Sequence, residues 1–268
     1  MNDNRFGQFH RTEQLLGVER AARLHQRGVI VAGLGAVGSF ALEALARAGI
    51  GRFRLIDCDS IKPSNINRQL IADWDSIGEK KTDMAAERVR RIYPACEIEK
   101  LDVVINAESI DGVLENTGNR YDLLIDAIDS LSSKAELIAG AMARQIPLLS
   151  SMGAALRTDL AAVRFGPLTE VTHCRLSAML RKRLRRRGVD TDRIDCVWSS
   201  EPTRAEQLAG ALETARLEPL ESEDEKPEHG RRRATLGSLP TIPGVFGLWL
   251  AHEAILRLSG NDHVTDST

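Results

Sequence analysis

The segment Gly33-Leu34-Gly35-Ala36-Val37-Gly38 constrains the fold of this chain more than any other. The apolar run Val29-Ile30-Val31-Ala32 before it has the length and β-branched content of a buried parallel strand. Phe40 to Ala48 after it has the residue pattern of a helix. Between strand and helix, the glycines Gly33, Gly35 and Gly38 allow a tight turn, a close backbone approach and close packing of helix on strand. The helix N-terminus then presents free N–H groups and a partial positive charge to a phosphate. Phe53-Arg54-Leu55-Ile56 reads as the next strand. Asp57 ends it about twenty residues past the loop, where a carboxylate can take ribose hydroxyls. Together these segments describe a nucleotide-binding site.

The alternation continues. Lys81 to Tyr93 reads as a helix ended by Pro94, Glu97 to Ile105 as a strand, and Ala107 to Asn116 as a short helix. Tyr121 to Ala127 is an apolar strand that delivers Asp126 and Asp129 to its C-terminal end. Lys134 to Arg144 is a helix, and Pro147 to Ser150 begins a fifth strand. Strands alternating with helices predict an α/β, Rossmann-like, doubly wound and mainly parallel sheet. After residue 151 the alternation weakens. Ala161 to Phe165 reads as a strand, Val171 to Arg187 as a helix, and Ile242 to Leu258 as a core-packing helix. The expected organisation is a nucleotide-binding domain with an N-terminal arm over 1–165, and a smaller substrate lobe with the packing helix over 166–268, integrated into one domain. Within the lobe, 203–238 is polar and acidic and reads as a mobile loop.

The chemistry is carried by residues that a hydride-transfer site does not need. Ser64, Asn65, Arg68 and Gln69, then Lys80-Lys81, gather polar and cationic groups after the glycine loop and the Asp57-Cys58-Asp59 acids. Nucleotidyl transfer builds charge on the α-phosphate and on the departing pyrophosphate, and cations placed there stabilise the transition state. The alternative is a solvated loop with ordinary surface charges.

The order glycine loop, Asp-x-Asp, Ser-Asn-x-x-Arg-Gln, Lys, then Asp129 after a fourth strand resembles the adenylating domain of the ubiquitin-activating-enzyme-like superfamily. Residues 5–165 follow that pattern. Within it the chain is most similar to the tRNA threonylcarbamoyladenosine dehydratases. The segments that carry this are Arg5-Phe6-Gly7, Arg11 to Gly17, Leu124 to Ser130, Asp195 to Glu201 and, more weakly, Pro243 to Gly247. The resemblance implies ATP and Mg²⁺ and a set of residue roles. Gly33, Gly35 and Gly38 approach the nucleotide, Asp57 holds the ribose, and Asp59, Ser64, Gln69 and Ser130 line the nucleotide site. Asn65, Arg68 and Lys81 contact the phosphates, with Lys80 as the substitute for Lys81. Asp129 sits beside Mg²⁺ and the reacting phosphate, and Ser130 stands where relatives carry Asn. Arg11 resembles the arginine that relatives insert into the partner subunit's ATP site, which implies a homodimer. The implied reaction is ATP-driven dehydration of threonylcarbamoyladenosine in tRNA through an acyl adenylate.

Two other classes share parts of this signature. One is an enzyme that adenylates the C-terminus of a ubiquitin-like sulfur carrier, and the other is a non-catalytic nucleotide-binding scaffold for a cysteine-desulfurase or sulfur-relay partner. The four cysteines Cys58, Cys96, Cys174 and Cys196 contain no CxxC pair, so the zinc ribbon of several adenylating relatives is not expected. Cys174, beside His173 and Arg175, is the one placed for a transfer role, against a structural role in a packed helix. Cys96 and Cys196 read as strand residues. Reduced cysteines, no signal-peptide pattern and no membrane-spanning stretch predict a cytoplasmic protein. A net charge of −2 excludes a strong global attraction to nucleic acid, so any RNA contact must be local. Arg181, Lys182, Arg183, Arg185, Arg186 and Arg187 form one basic cluster, and Arg231-Arg232-Arg233 another. Either is a solvated face or an RNA contact.

Overall fold

A computed structural model describes residues 4–115, 120–203 and 236–260, with the backbone only for 4–6. Seven strands form one sheet in the order β3-β2-β1-β4-β5-β7-β6. They are β1 Gly28–Ala32, β2 Arg52–Ile56, β3 Glu97–Leu101, β4 Leu123–Asp126, β5 Leu148–Ser151, β6 Val163–Pro167 and β7 Asp195–Ser199. All neighbouring pairs are parallel except β6, which lies antiparallel to β7 at the edge. The sheet therefore crosses residue 165, which falls inside β6, and β7 sits between β5 and β6.

The central strands are apolar on both faces because both faces are covered. Val29 and Val31 of β1 point into one core with Phe53 and Leu55, while Ile30 and Ala32 point into the other with Leu124. The first core holds α3 (Gly38–Ala48), α4 (Lys81–Ile92) and α8 (Thr241–Ser259). The second holds α5 (Ile110–Val113), α6 (Leu131–Ala143) and α7 (Arg175–Arg185). The C-terminal helix expected over 242–258 is thus present and packs on α3. Gly247 makes this approach possible: a Cβ there would lie 2.3 Å from the carbonyl oxygen of Val37. The N-terminal arm is two short helices, α1 (His10–Leu16) and α2 (Val18–Gln26).

Several expected boundaries move for local reasons. β3 ends at Leu101 rather than 105, and Asp102 instead accepts a hydrogen bond from the Thr82 hydroxyl. Cys96 precedes β3 rather than lying in it, and is buried under the Ile50 carbonyl oxygen. The helix expected over 107–116 shrinks to Ile110–Val113. The Asn106 side chain accepts the N–H groups of Glu108 and Ser109, a local turn that competes with helix. The strand expected from Ala161 starts at Val163, after a 3-10 turn capped by Asp159. The helix expected from Val171 starts at Arg175. His173 adopts a positive φ of 51°, which helical backbone cannot, and Cys174 becomes the N-cap. Most of the 203–238 loop and all of Arg231-Arg232-Arg233 lie outside the described residues. No helix among the described residues is long and apolar enough to cross a membrane.

Candidate active site

In this strand order the direction of winding reverses between β1 and β4, and ligands of open α/β sheets bind outside the strand ends at that point. The glycine turn leaves β1 there. Gly33 has φ +87°, and a Cβ on it would lie 2.7 Å from the Ala127 carbonyl oxygen in the turn after β4. A Cβ on Gly38 would lie 1.8 Å from the Gly33 carbonyl oxygen. These two glycines hold the turns after β1 and β4 against each other, which places the Asp129-Ser130 turn beside the N-terminus of α3.

Asp57, at the end of β2, is tied to the same turn. Its carboxylate accepts the Leu34 N–H at 2.7 Å and the Asp59 N–H at 2.9 Å. A carboxylate has about four lone-pair sites, so acceptor capacity remains for a ribose. Lys81, only 6% exposed, directs Nζ to Asp59 at 2.7 Å and lies 3.8 Å from Asp57. Burial pushes the Asp57 carboxyl above its usual range, against the pull of Lys81. Burial acts in the same sense on Asp59, but the Lys81 ammonium outweighs it and holds that carboxyl below its usual range. Lys80, by contrast, is exposed and turns its ammonium to the Cys58 carbonyl oxygen. Of the two lysines, Lys81 is the one that faces the site acids.

Residues 63–70 form the opposite wall. A 3-10 turn over Pro63–Asn65 buries Asn65, whose side chain accepts the Lys62 N–H. Arg68 donates to the Ser64 carbonyl oxygen and the Asn67 side chain, both at 2.8 Å. The Leu70 N–H bonds Ser39 Oγ on α3, which fastens this wall to the glycine helix. Gln69 is 7% exposed, and its Oε1 has no hydrogen-bond partner. A Cβ on Gly35 would lie 3.8 Å from Gln69 Nε2. The orphaned amide oxygen beside a side-chain-free backbone is a buried acceptor that a nucleotide's donor groups can satisfy.

Asp129 is exposed beyond β4, and Ser130 is the N-cap residue of α6. Asp129 is a hard oxygen donor of the kind that holds Mg²⁺ together with substrate phosphates. Asp57, Cys58 and Asp59 also lie close enough to share a cation. Their thiol is a poor Mg²⁺ ligand and Lys81 already occupies Asp59, so Asp129 fits the ion better. Arg11 is the exception to this convergence. It is exposed on α1 and bonds none of the other site residues within the chain.

Asp126, legible in the sequence as a strand-end acid, has partners under this turn that no motif marks. Lys134 and Asp126 are both fully buried, with Nζ 2.6 Å from Oδ2. The Ser150 hydroxyl donates to the same oxygen at 2.7 Å, and Asp126 Oδ1 accepts the Ile128 N–H at 3.2 Å. This triad fixes the turn that carries Asp129. The cysteines take no comparable part. Burial, then the carboxylates of Asp59 and Asp57, push the Cys58 thiol up, and burial pushes Cys96 up to about 12. Cys196 is buried in β7, as the sequence predicts. Cys174 Sγ caps α7 by accepting the Ser177 N–H.

A glycine turn at the switch point, backed by an acid and a buried lysine, defines a nucleotide-binding α/β protein. The chain belongs to the ThiF family, which matches residues 9–268. It is 37% identical over 219 residues to a tRNA threonylcarbamoyladenosine dehydratase of Haemophilus influenzae, covering 80% of this chain and 82% of that one. It is 32% identical over 256 residues to the Escherichia coli protein of that name, covering 93% and 92%. The solved structure of the E. coli tRNA N6-threonylcarbamoyladenosine dehydratase in complex with ATP matches with a TM-score of 0.82 at 29% identity, covering 97% of each chain. The resemblance read from the motifs is borne out.

Proposed function

We propose that this chain is an ATP-dependent enzyme that removes water from threonylcarbamoyladenosine in tRNA. The observation that carries the reading is the length of the likeness: it runs through the C-terminal strands and α8 as well as the nucleotide half. In the proposed site the ATP phosphates lie at the N-terminus of α3, and Asp57 takes the ribose. Asn65, Arg68 and Lys81 contact the phosphates, and Gln69, Ser64, Asp59 and Ser130 line the nucleotide. Mg²⁺ held by Asp129 would neutralise phosphate charge.

The threonyl carboxylate attacks the α-phosphorus, forming an acyl–phosphate bond and releasing pyrophosphate. Arg68 and Lys81 meet the charge that develops on those oxygens. The carbamoyl group of the same side chain then attacks the activated carbonyl, the ring closes with loss of one N–H proton to solvent, and AMP leaves with the bonding pair of the broken acyl–phosphate bond. Ring closure is intramolecular, so proximity supplies much of the acceleration and no enzyme nucleophile is needed. A cysteine-desulfurase or sulfur-relay protein adds nothing to this chemistry, which transfers no sulfur.

The exposed Arg11 is assigned to the site of a second copy. Leu15 and Val18, 84% and 70% exposed on the same arm, supply an apolar surface for that contact. Sedimentation of the purified protein as a single chain would overturn the homodimer. A cytoplasmic location, where tRNA and ATP are both available, completes the reading, and cell fractionation tests it.

The substrate is tested by pyrophosphate release. ATP turnover is expected to depend on tRNA bearing threonylcarbamoyladenosine and to ignore a ubiquitin-like sulfur carrier. Turnover with the carrier alone would move the assignment to carrier activation.

A further inference from the structure

Helix α7 carries Arg175, Arg181, Lys182, Arg183 and Arg185 and no acidic residue, and Arg186 and Arg187 follow it. Arg181–Arg185 and Lys182–Arg186 are like-charge pairs one turn apart, and each works against the helix. Cations favour the last turn of a helix through the macrodipole. That accounts for neither their number nor Arg175, which stands in the first turn at the unfavourable end. On α4 two cations are paired, Arg88 with Glu43 and Arg91 with Glu87, while the exposed Arg90 forms no ion pair among the described residues.

Two cations of the cluster face inward along α6. Arg187 pairs with Glu136, and Arg183 donates to the Ser132 hydroxyl at 3.0 Å. Apart from Arg175, four remain: Arg181, Lys182, Arg185 and Arg186. Arg181 is anchored by the carbonyl oxygens of Leu168 and Val171 at 2.9 and 2.8 Å. Lys182, Arg185 and Arg186 are exposed and form no ion pair among the described residues. These four, with the exposed Ala178, form one open face of α7. Its place matters as much as its charge. Ser132 lies in the first turn of α6, which begins directly after Asp129 and Ser130. Helix α7, which carries this face, thus packs through Arg183 and Arg187 along the helix that opens on the nucleotide site.

We propose that this face, built from Arg181, Lys182, Arg185 and Arg186, docks the phosphate backbone of the tRNA and brings its modified adenosine to the adenylating site. The inference rests on the tRNA reading above. It identifies where a chain with a net charge of −2 concentrates the positive charge that RNA binding requires. An open, row-like cluster of point charges suits a polyphosphate strand better than a small enclosed anion.

The test is titration of threonylcarbamoyladenosine-bearing tRNA by fluorescence anisotropy over a range of salt. It compares the full chain, the triple variant K182A/R185A/R186A, the charge-keeping variant R185K/R186K, and a control lacking two exposed α4 cations, R90A/R91A. The triple variant is expected to bind about 10- to 100-fold more weakly, with a salt slope shallower by about 2. The charge-keeping variant and the control are expected to stay within about threefold of the parent, because phosphate contact here is a matter of local charge. ATP affinity, unchanged in the triple variant, reports an intact fold. Parental tRNA affinity and slope in the triple variant would overturn the surface and leave the dehydratase standing. A parent chain that neither binds nor dehydrates this tRNA would overturn the functional reading and this inference with it. Capture by phosphatidylserine vesicles in place of tRNA, lost in the triple variant, would reassign the face to a lipid surface.

Discussion

Lys134→Met is expected to lower the unfolding free energy by about 3–5 kcal/mol, because it strands a buried carboxylate without its counter-charge. The Lys134 ammonium is fully buried, 2.6 Å from an Asp126 oxygen that also accepts the Ser150 hydroxyl. Methionine fills much of the lysine's volume, so the loss isolates the charge rather than a cavity. The double variant Asp126→Asn/Lys134→Met is expected to recover most of the stability, since removing both charges also removes the desolvation penalty. Urea denaturation followed by circular dichroism measures both. A single variant that loses under about 1 kcal/mol would show that the pair is not the support the structure implies. A functional effect accompanies the loss. Asp126 holds the Ile128 N–H, so disturbing the pair loosens the turn that carries Asp129.

Lys81→Ala is expected to reduce pyrophosphate formation by about 100- to 1,000-fold, the usual cost of removing one preorganised group that meets developing charge. The ammonium is 6% exposed and already oriented by Asp57 and Asp59, so little reorganisation accompanies the reaction. A group that acts mainly in the transition state lowers kcat more than it raises KM for ATP. Lys80→Ala, on an exposed side chain turned to the Cys58 carbonyl oxygen, is expected to fall within about threefold of the parent. Steady-state kinetics of both variants makes the comparison. Equal losses would mean that the two lysines share the role, and no loss in Lys81→Ala would remove it from the phosphate site.

The fold and the nucleotide half of the site were legible because their signals are local. The β-branched run at 29–32 and the apolar-rich run at 53–56 read as strands from their own residues. Gly38 meets the Gly33 carbonyl on the same turn, whereas Gly33, beyond its positive φ, is required by the Ala127 carbonyl after β4. The preference for Lys81 over Lys80 came from the family resemblance, and in the structure it is Lys81 that turns to Asp57 and Asp59. The starts of α7 and β6 were not legible, because they depend on single residues. His173 takes a left-handed conformation, and Asp159 caps a turn that no hydrophobic pattern marks. Lys134 was the least legible. In a helix of sequence LSSKAELIAGAMA a single lysine reads as a solvated position. Only the pairing of β4 with β5, which brings Asp126 and Ser150 together beneath it, turns it inward.

The central claim is tested most directly by the mass of one nucleoside. The protein is incubated with ATP, Mg²⁺ and tRNA bearing threonylcarbamoyladenosine, beside an Arg68→Ala control, and the tRNA is digested and its nucleosides weighed. The expected result is an ATP-dependent loss of one water from threonylcarbamoyladenosine, strongly reduced in the control. An unchanged nucleoside mass, with the protein folded and ATP bound, would contradict the assignment.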